Sequence, residues 1–115
     1  MKATSVDEVN ILASPILSSF RLLIRDRLEL RRLPAIWQWP KGAEDGGLIA
    51  YGPRLSVVFR QCARQVAKLL RGAKVVDVRV EQPTDFELII NLKTAKALGL
   101  QMPAMLLGRA DEVIE

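Results

Sequence analysis

The sequence has 115 residues, with 17 lysines and arginines against 13 aspartates and glutamates, one cysteine (Cys62) and no histidine. That length suits one domain able to bury roughly two-thirds of its unfolded surface. A single cysteine excludes an intramolecular disulfide, and the missing histidine excludes histidine-based triads, histidine general bases and the common zinc sites.

The amino terminus, MKATSVDEVN, carries acids where an export signal needs an apolar stretch, and no run approaches the ~18 apolar residues of a membrane span. As written, the chain is expected to be neither exported nor membrane-embedded, and therefore cytoplasmic. Val9–Ala13 is a short apolar run stopped by Ser14-Pro15, which predicts a buried strand. Ser18 or Ser19 then caps a predicted helix running to about Arg32, with Phe20, Leu23, Ile24 and Leu28 at helical spacing. Leu33-Pro34 ends it, because a residue before proline avoids the α region. Ala35-Ile36-Trp37 reads as a second strand, so strand, helix and strand form a βαβ unit with a parallel pair.

Gln38–Asp45 reads as a polar connection, and Leu48–Tyr51 as a third strand after the tight turn Gly46-Gly47. Gly52-Pro53 predicts a turn, and a long helix is expected from about Leu55 to Arg71. Its core stripe is Phe59, Cys62, Ala63, Val66, Leu69 and Leu70, and Gly72 stands where a left-handed cap belongs. Phe86–Asn91 is a fourth strand, Thr94–Leu98 a short helix ended by Gly99, Ala104–Leu107 a last helical turn, and Ala110–Glu115 a polar tail. The fold class is α/β.

Charge is uneven along the chain. Residues 1–75 hold 13 basic against 6 acidic side chains, or +7, while residues 76–115 hold 4 against 7, or −3. The Arg-rich segment 21–32 is the one feature that argues for nucleic acid. Six aromatics make no base-stacking platform, so solvated helix faces explain the charge and no nucleic-acid partner is expected.

No catalytic constellation emerges. Cys62 lies on an apolar stripe with no histidine to activate it, which reads as a buried structural thiol. The pairs Glu44-Asp45 and Asp111-Glu112 are sequence neighbours that flank turns or tails, so they read as solvated charge rather than as an acid–base pair. Gly46-Gly47 with Gly52 lacks the lysine-serine pair of a phosphate loop and opens no G-x-G-x-x-G helix. Trp37 and Trp39, two residues apart, would share a strand face near its carboxyl end, where open α/β sheets bind ligands. No enzyme activity, cofactor or metal is expected.

The segment VEQPTDFELIINLKTAKALGL (Val80–Leu100) carries a resemblance. Together with ILASPI, SSFRLL, LPAIW, GGLIAYGP, LLRGAK and the tail GRADEVIE, it resembles the substrate-binding proteins of ABC transporters, specifically the tryptophan/tyrosine-type group. The resemblance implies part of a type I periplasmic-binding-protein fold, in which two α/β lobes joined by hinge strands close over a small ligand. It covers the chain from about Val6 and corresponds to the last third of such proteins, so a truncated carboxyl-terminal portion is expected. Residues 6–52 would form the βαβ portion of the second lobe. Residues 53–79 would be a helix and link of first-lobe type, entered by a hinge crossing near Tyr51-Gly52-Pro53, and residues 80–115 would return to the second lobe. The expected architecture is a partial lobe: a short, mostly parallel sheet flanked by helices.

The implied role is non-covalent capture of an amino-acid-like ligand, such as an aromatic amino acid, for a membrane permease, in the periplasm for the family. Site residues expected on that basis are Ser14 and Ser18 for a carboxylate, with Trp37 and Tyr51 to stack on a ring. Two departures matter. Ser14 stands where the family commonly has an aspartate, and Pro40 and Gly42 fall where it has a short helix, which is expected to be weakened. One lobe offers half a cleft, so binding is expected to be weak. With the first lobe missing, the Leu55–Arg71 stripe would face water, and a homodimer pairing through it is expected. The alternative is a small self-associating interaction module.

Overall fold

In the computed structural model, which describes residues 5–115, one five-stranded sheet organises the chain. Met1–Thr4, part of the amino-terminal segment read above, lie outside the described residues. In chain order the elements begin β1 (Val9–Ile11), α1 (Pro15–Ser19), α2 (Arg21–Leu30), β2 (Ala35–Trp37), α3 (Pro40–Glu44), β3 (Ile49–Pro53) and α4 (Leu55–Leu70). A 3-10 turn at Val75–Asp77 follows, then β4 (Phe86–Asn91), α5 (Leu92–Leu98), α6 (Ala104–Leu107) and β5 (Glu112–Ile114). Strand order is β1-β2-β3-β4-β5, parallel except for the antiparallel β3–β4 pair. The expected α/β class, with a mostly parallel sheet and flanking helices, is what the chain adopts.

The pairing register sorts side chains by face. Trp37 stands opposite Ile11 and Ala50, and Ala50 opposite Ile89, so all four point the same way. That face holds the core: Ala35, Trp37, Ala43, Ala50 and Ile89 are buried, with Ile24 and Leu28 of α2 packed on them. The opposite face carries Ile36, Tyr51 and Phe86, all exposed, together with Ile90, which is fully buried.

Several sequence expectations are corrected by this packing. The helix predicted from Ser18 or Ser19 starts at Pro15, because proline suits a first helical position and Ser14 is extended (φ −154°, ψ 137°). It breaks at Phe20 (φ −96°, ψ 13°) before α2 begins. Ser19 is no cap; its Oγ donates back to the Pro15 carbonyl at 2.9 Å. The strand predicted to reach Ala13 ends at Ile11. Gly52-Pro53 is not a turn but the end of β3, where Pro53 faces Phe86 across the ladder. Gly52 has no room for a side chain, since a Cβ would run into the Gln38 carbonyl. The polar tail contains β5, paired in parallel with β4 and fastened by Asp111, whose Oδ2 accepts the Leu88 N–H at 2.8 Å.

The weakened helix at Pro40–Glu44 is also corrected. Pro40 occupies a first-turn position and is buried, and Gly42 lies directly beneath the Trp37 indole, 2.6 Å from where an alanine Cβ would sit. The close approach requires glycine there, so α3 forms because of Gly42's place in the packing. Helix α5 starts at Leu92, two residues early, because buried Asn91 caps it by accepting the Thr94 N–H at 3.1 Å.

Helix α4 stands apart. None of its residues is buried; Phe59 is 67% exposed and Leu70 84%. The buried reading of Cys62 is therefore wrong: the thiol is exposed. Its neighbour is the returning link, where Gln61 bonds Glu81 at 2.7 Å and Gln65 bonds the Arg79 carbonyl at 3.2 Å. This projecting arm makes the molecule long and flat, 55 × 39 × 19 Å, with a radius of gyration of 17.6 Å. A compact chain of this length would have about 13 Å. No helix among the described residues is long and apolar enough to cross a membrane.

Candidate binding cleft

A parallel βαβ unit leaves a crevice beyond the carboxyl ends of its strands, where the chain turns away on both sides. Here that crevice is a cavity of about 220 Å³ at the ends of β1 and β2. It is lined by Ile11, Leu12, Leu17, Ser18 and Arg21 from β1, α1 and α2 and the residues that join them, by Trp37, Gln38, Trp39, Lys41 and Gly42 from β2 through α3, and by Leu55 at the start of α4. Gln38 ties two of these segments together, its Oε1 accepting the Ala13 N–H at 2.7 Å. A more open hollow of about 370 Å³ adjoins it, sharing Ser18, Trp39 and Leu55 and adding Ser14 and Phe59.

The structure thus gathers three of the four expected site residues. Ser18 and Trp37 line the inner cavity and Ser14 the outer hollow. Ser14 makes no side-chain cap bond to the helix it precedes. Tyr51 lies elsewhere. It points to the other sheet face and stacks on Phe86, with ring centroids 5.7 Å apart and planes at 24°. Trp39 reaches the cleft although β2 ends at Trp37; it is the extended residue before α3, not a strand partner of Trp37. Sequence reasoning missed Arg21, Gln38, Lys41 and Leu55 as lining residues. Only the adjacency of Gln38 to the two tryptophans hinted at any of them.

The two cations of the lining are already neutralised from behind. Asp45 accepts from Arg21 Nε at 2.7 Å and lies 3.1 Å from Lys41 Nζ, while Arg25 donates to the Asp45 carbonyl at 2.7 Å. Burial pushes the Asp45 carboxyl up, but hydrogen bonds from Arg21 and Lys41, with their charges, outweigh it and hold the group below the usual carboxylate range. The reading of Glu44-Asp45 as solvated charge is corrected accordingly: both are engaged in ion pairs. The Arg-rich segment likewise directs Arg21 and Arg25 to Asp45.

The same carboxyl end of α3 carries a second cluster, through Glu44. Arg54, between β3 and α4, contacts Glu87 twice through Nε (3.2 and 3.1 Å) and once through a terminal nitrogen (2.6 Å), and reaches Glu44 at 2.7 Å. Glu112 lies 3.9 Å away. These bonds, Glu87's first, raise the guanidinium's pKa above its ordinary value. Among the described residues no group of histidine, cysteine, aspartate and glutamate could hold a metal. An apolar cleft lined by two indoles and two serines suits non-covalent capture of a small molecule.

Comparison with known proteins gives a family and a fold. The family model described as "ABC transporter substrate binding protein" matches residues 3–114. No curated protein matches the sequence. Among solved structures, a conserved domain protein from Vibrio cholerae is similar at a TM-score of 0.87 and 22% identity, covering 93% of this chain and 36% of that one. The ABC domain in complex with L-Trp from Streptococcus pneumonia is similar at a TM-score of 0.86 and 23% identity, covering 95% and 37%. The ligand-free, open structure of a substrate binding protein with adhesive properties from Clostridium difficile is similar at 0.56 and 21%, covering 92% and 36%. At these identities the likeness establishes the fold, and the chain spans little more than a third of each structure it matches.

Proposed function

The chain belongs to the ABC transporter substrate-binding protein family, a family of binding proteins and not of enzymes, and from that premise we propose that it forms one wall of a site for an aromatic amino acid. The observation that carries this reading is the cleft at the ends of β1 and β2, with Trp37 and Trp39 to meet a ring and Ser14 and Ser18 to take polar groups. The Streptococcus relative, bound to L-Trp, favours the same ligand class. Tyr51, on the opposite face, would act only through a partner surface. Residues 6–52 and 80–115 supply the sheet lobe and residues 53–79 the arm that meets the other lobe in the family arrangement. Delivery to a membrane permease in an extracytoplasmic setting is the role the family suggests.

The inner cavity of about 220 Å³ opens into the outer hollow of about 370 Å³, whereas sites that hold a small ligand firmly bury most of its surface. Binding by this chain alone is therefore weak, near a millimolar or about −4 kcal/mol. Calorimetric titration with L-tryptophan and L-tyrosine tests it, with Ser18→Ala and Trp39→Ala as controls. A micromolar constant would refute the half-site argument, and saturable binding that neither control weakens would move the site elsewhere.

The exposed stripe Phe59, Val66 and Leu70 on α4 supports self-association into a homodimer, since burying each such side chain contributes roughly 1.5–3 kcal/mol. Light scattering at micromolar concentration reads this directly. A mass of one chain would refute it, and Val66→Asp should dissociate whatever dimer exists.

A further inference from the structure

We propose that Arg54 is a positioning residue for the cleft: its one guanidinium ties the start of the arm to the returning strand and to α3, and so fixes the gap between Leu55 and the α3 wall. The inference deepens the binding reading above and rests on it for its ligand measurement alone.

Arg54 is the last residue before α4, and its carbonyl accepts the Val57 and Val58 N–H groups at 2.9 and 3.2 Å, so the arm's first turn hangs from it. Leu55, the next residue, lines both hollows of the cleft. From the same backbone position the side chain grips Glu87 of β4 through two nitrogens and Glu44 of α3 through the third. The Glu87 contact repeats a connection the β3–β4 ladder already makes, because Gly52 and Glu87 are partners there. The Glu44 contact adds a link from α3 to the start of the arm, beside the Asn91 side-chain N–H that ties α3 to β4 by donating to the Ala43 carbonyl at 3.1 Å. Helix α3 is five residues long, with Glu44 at its carboxyl end and Lys41 and Gly42, both cleft-lining, within one turn. A tilt at Glu44 therefore moves the wall that faces Leu55.

Side-chain chemistry makes arginine hard to replace. A planar fork can engage two carboxylates at once, whereas a lysine ammonium offers one point of charge. Removing the cation would leave Glu44, Glu87 and, at 3.9 Å from Arg54, Glu112 without it. Like charges then favour splaying of α3 from the hinge strands.

Cys62 supplies the test, being the sole cysteine and exposed on α4. Labelled with a thiol-reactive energy acceptor, it reports its distance from Trp37 and Trp39, the two tryptophans of the chain, by time-resolved donor quenching. Wild type should give one narrow distance component for each tryptophan. Arg54→Met should broaden or shift them, Arg54→Lys should recover them in part, and Glu44→Gln should fall between. Should Arg54→Met fail to fold, the milder Glu44→Gln decides alone. A distribution unchanged in the folded variants overturns the proposal.

The ligand arm is separate. L-tryptophan affinity should fall at least tenfold in Arg54→Met and recover in part in Arg54→Lys. A broadened distance with unchanged affinity also overturns the proposal. If wild type binds no L-tryptophan, the binding reading fails while the distance measurement still decides what Arg54 positions.

Discussion

Replacing Gly42 by alanine sets two effects of opposite sign against each other. In an isolated helix the change would stabilise by ~1 kcal/mol, since glycine is a poor helix former. In this fold the new Cβ would sit 2.6 Å from Cβ, Cγ and Cδ2 of Trp37, far inside van der Waals contact. Trp37 cannot withdraw: it is 4% exposed and its backbone is paired on both sides, to β1 and to β3. Overpacking of this kind costs about 1–3 kcal/mol, and a clash with a fixed indole belongs at the upper end. The net expectation is a loss of about 2 kcal/mol, or a fall in Tm of roughly 10 °C for a domain of this size. Thermal unfolding followed by far-ultraviolet circular dichroism measures it, and a change in tryptophan emission locates it. Gly72→Ala is the control, because nothing lies within 4 Å of its Cβ position and only the left-handed backbone (φ +101°) opposes it. A Gly42→Ala protein as stable as wild type, or more so, would show that helix propensity outweighs the packing of α3 on Trp37.

Two further predictions concern polar groups. Asn91 is 4% exposed, donates to the Ala43 carbonyl at 3.1 Å and caps α5; Asn91→Ala should cost about 2 kcal/mol in urea unfolding, combining a lost cap with a lost buried hydrogen bond. Asp45, with its folded pKa lowered, contributes stability that is present above the unfolded value of about 3.9 and is lost as pH falls through the folded pKa. Urea titrations between pH 7 and pH 2 should therefore show a loss below about pH 4 that Asp45→Asn makes shallower, and an identical pH dependence in the two proteins would contradict the assignment.

Where an element follows from its own residues, the sequence determines it. Strands β2 and β4, the turn of α6 and the left-handed glycines at 72 and 99 lie where the chain places them. Each depends on signals within a few residues: β-branched or apolar runs, a preceding proline, a glycine after the last turn. The family resemblance was legible for the same reason, as a chain of short local patterns. Other features exist only because distant segments meet. Nothing in Glu112–Ile114 distinguishes a strand from a tail until β4 offers its edge and Asp111 pins the register. Gly42 argues against a helix locally, and Pro40 only suits a first turn, yet the Trp37 indole needs a neighbour without a side chain. The α4 stripe has the periodicity of a core helix, and periodicity cannot say whether a partner surface is present; here Phe59 and Cys62 face outward. Tyr51 and Trp37 both lie near strand ends in the sequence, but a parity difference in register puts them on opposite faces of the sheet. Glu44 and Glu87, 10 and 33 positions from Arg54 on either side of it, join it in one cluster only when β3, α3 and β4 converge. Local sequence fixes dihedral preference over a turn or two; which charges and rings share a space is decided by the long-range contacts that close the sheet.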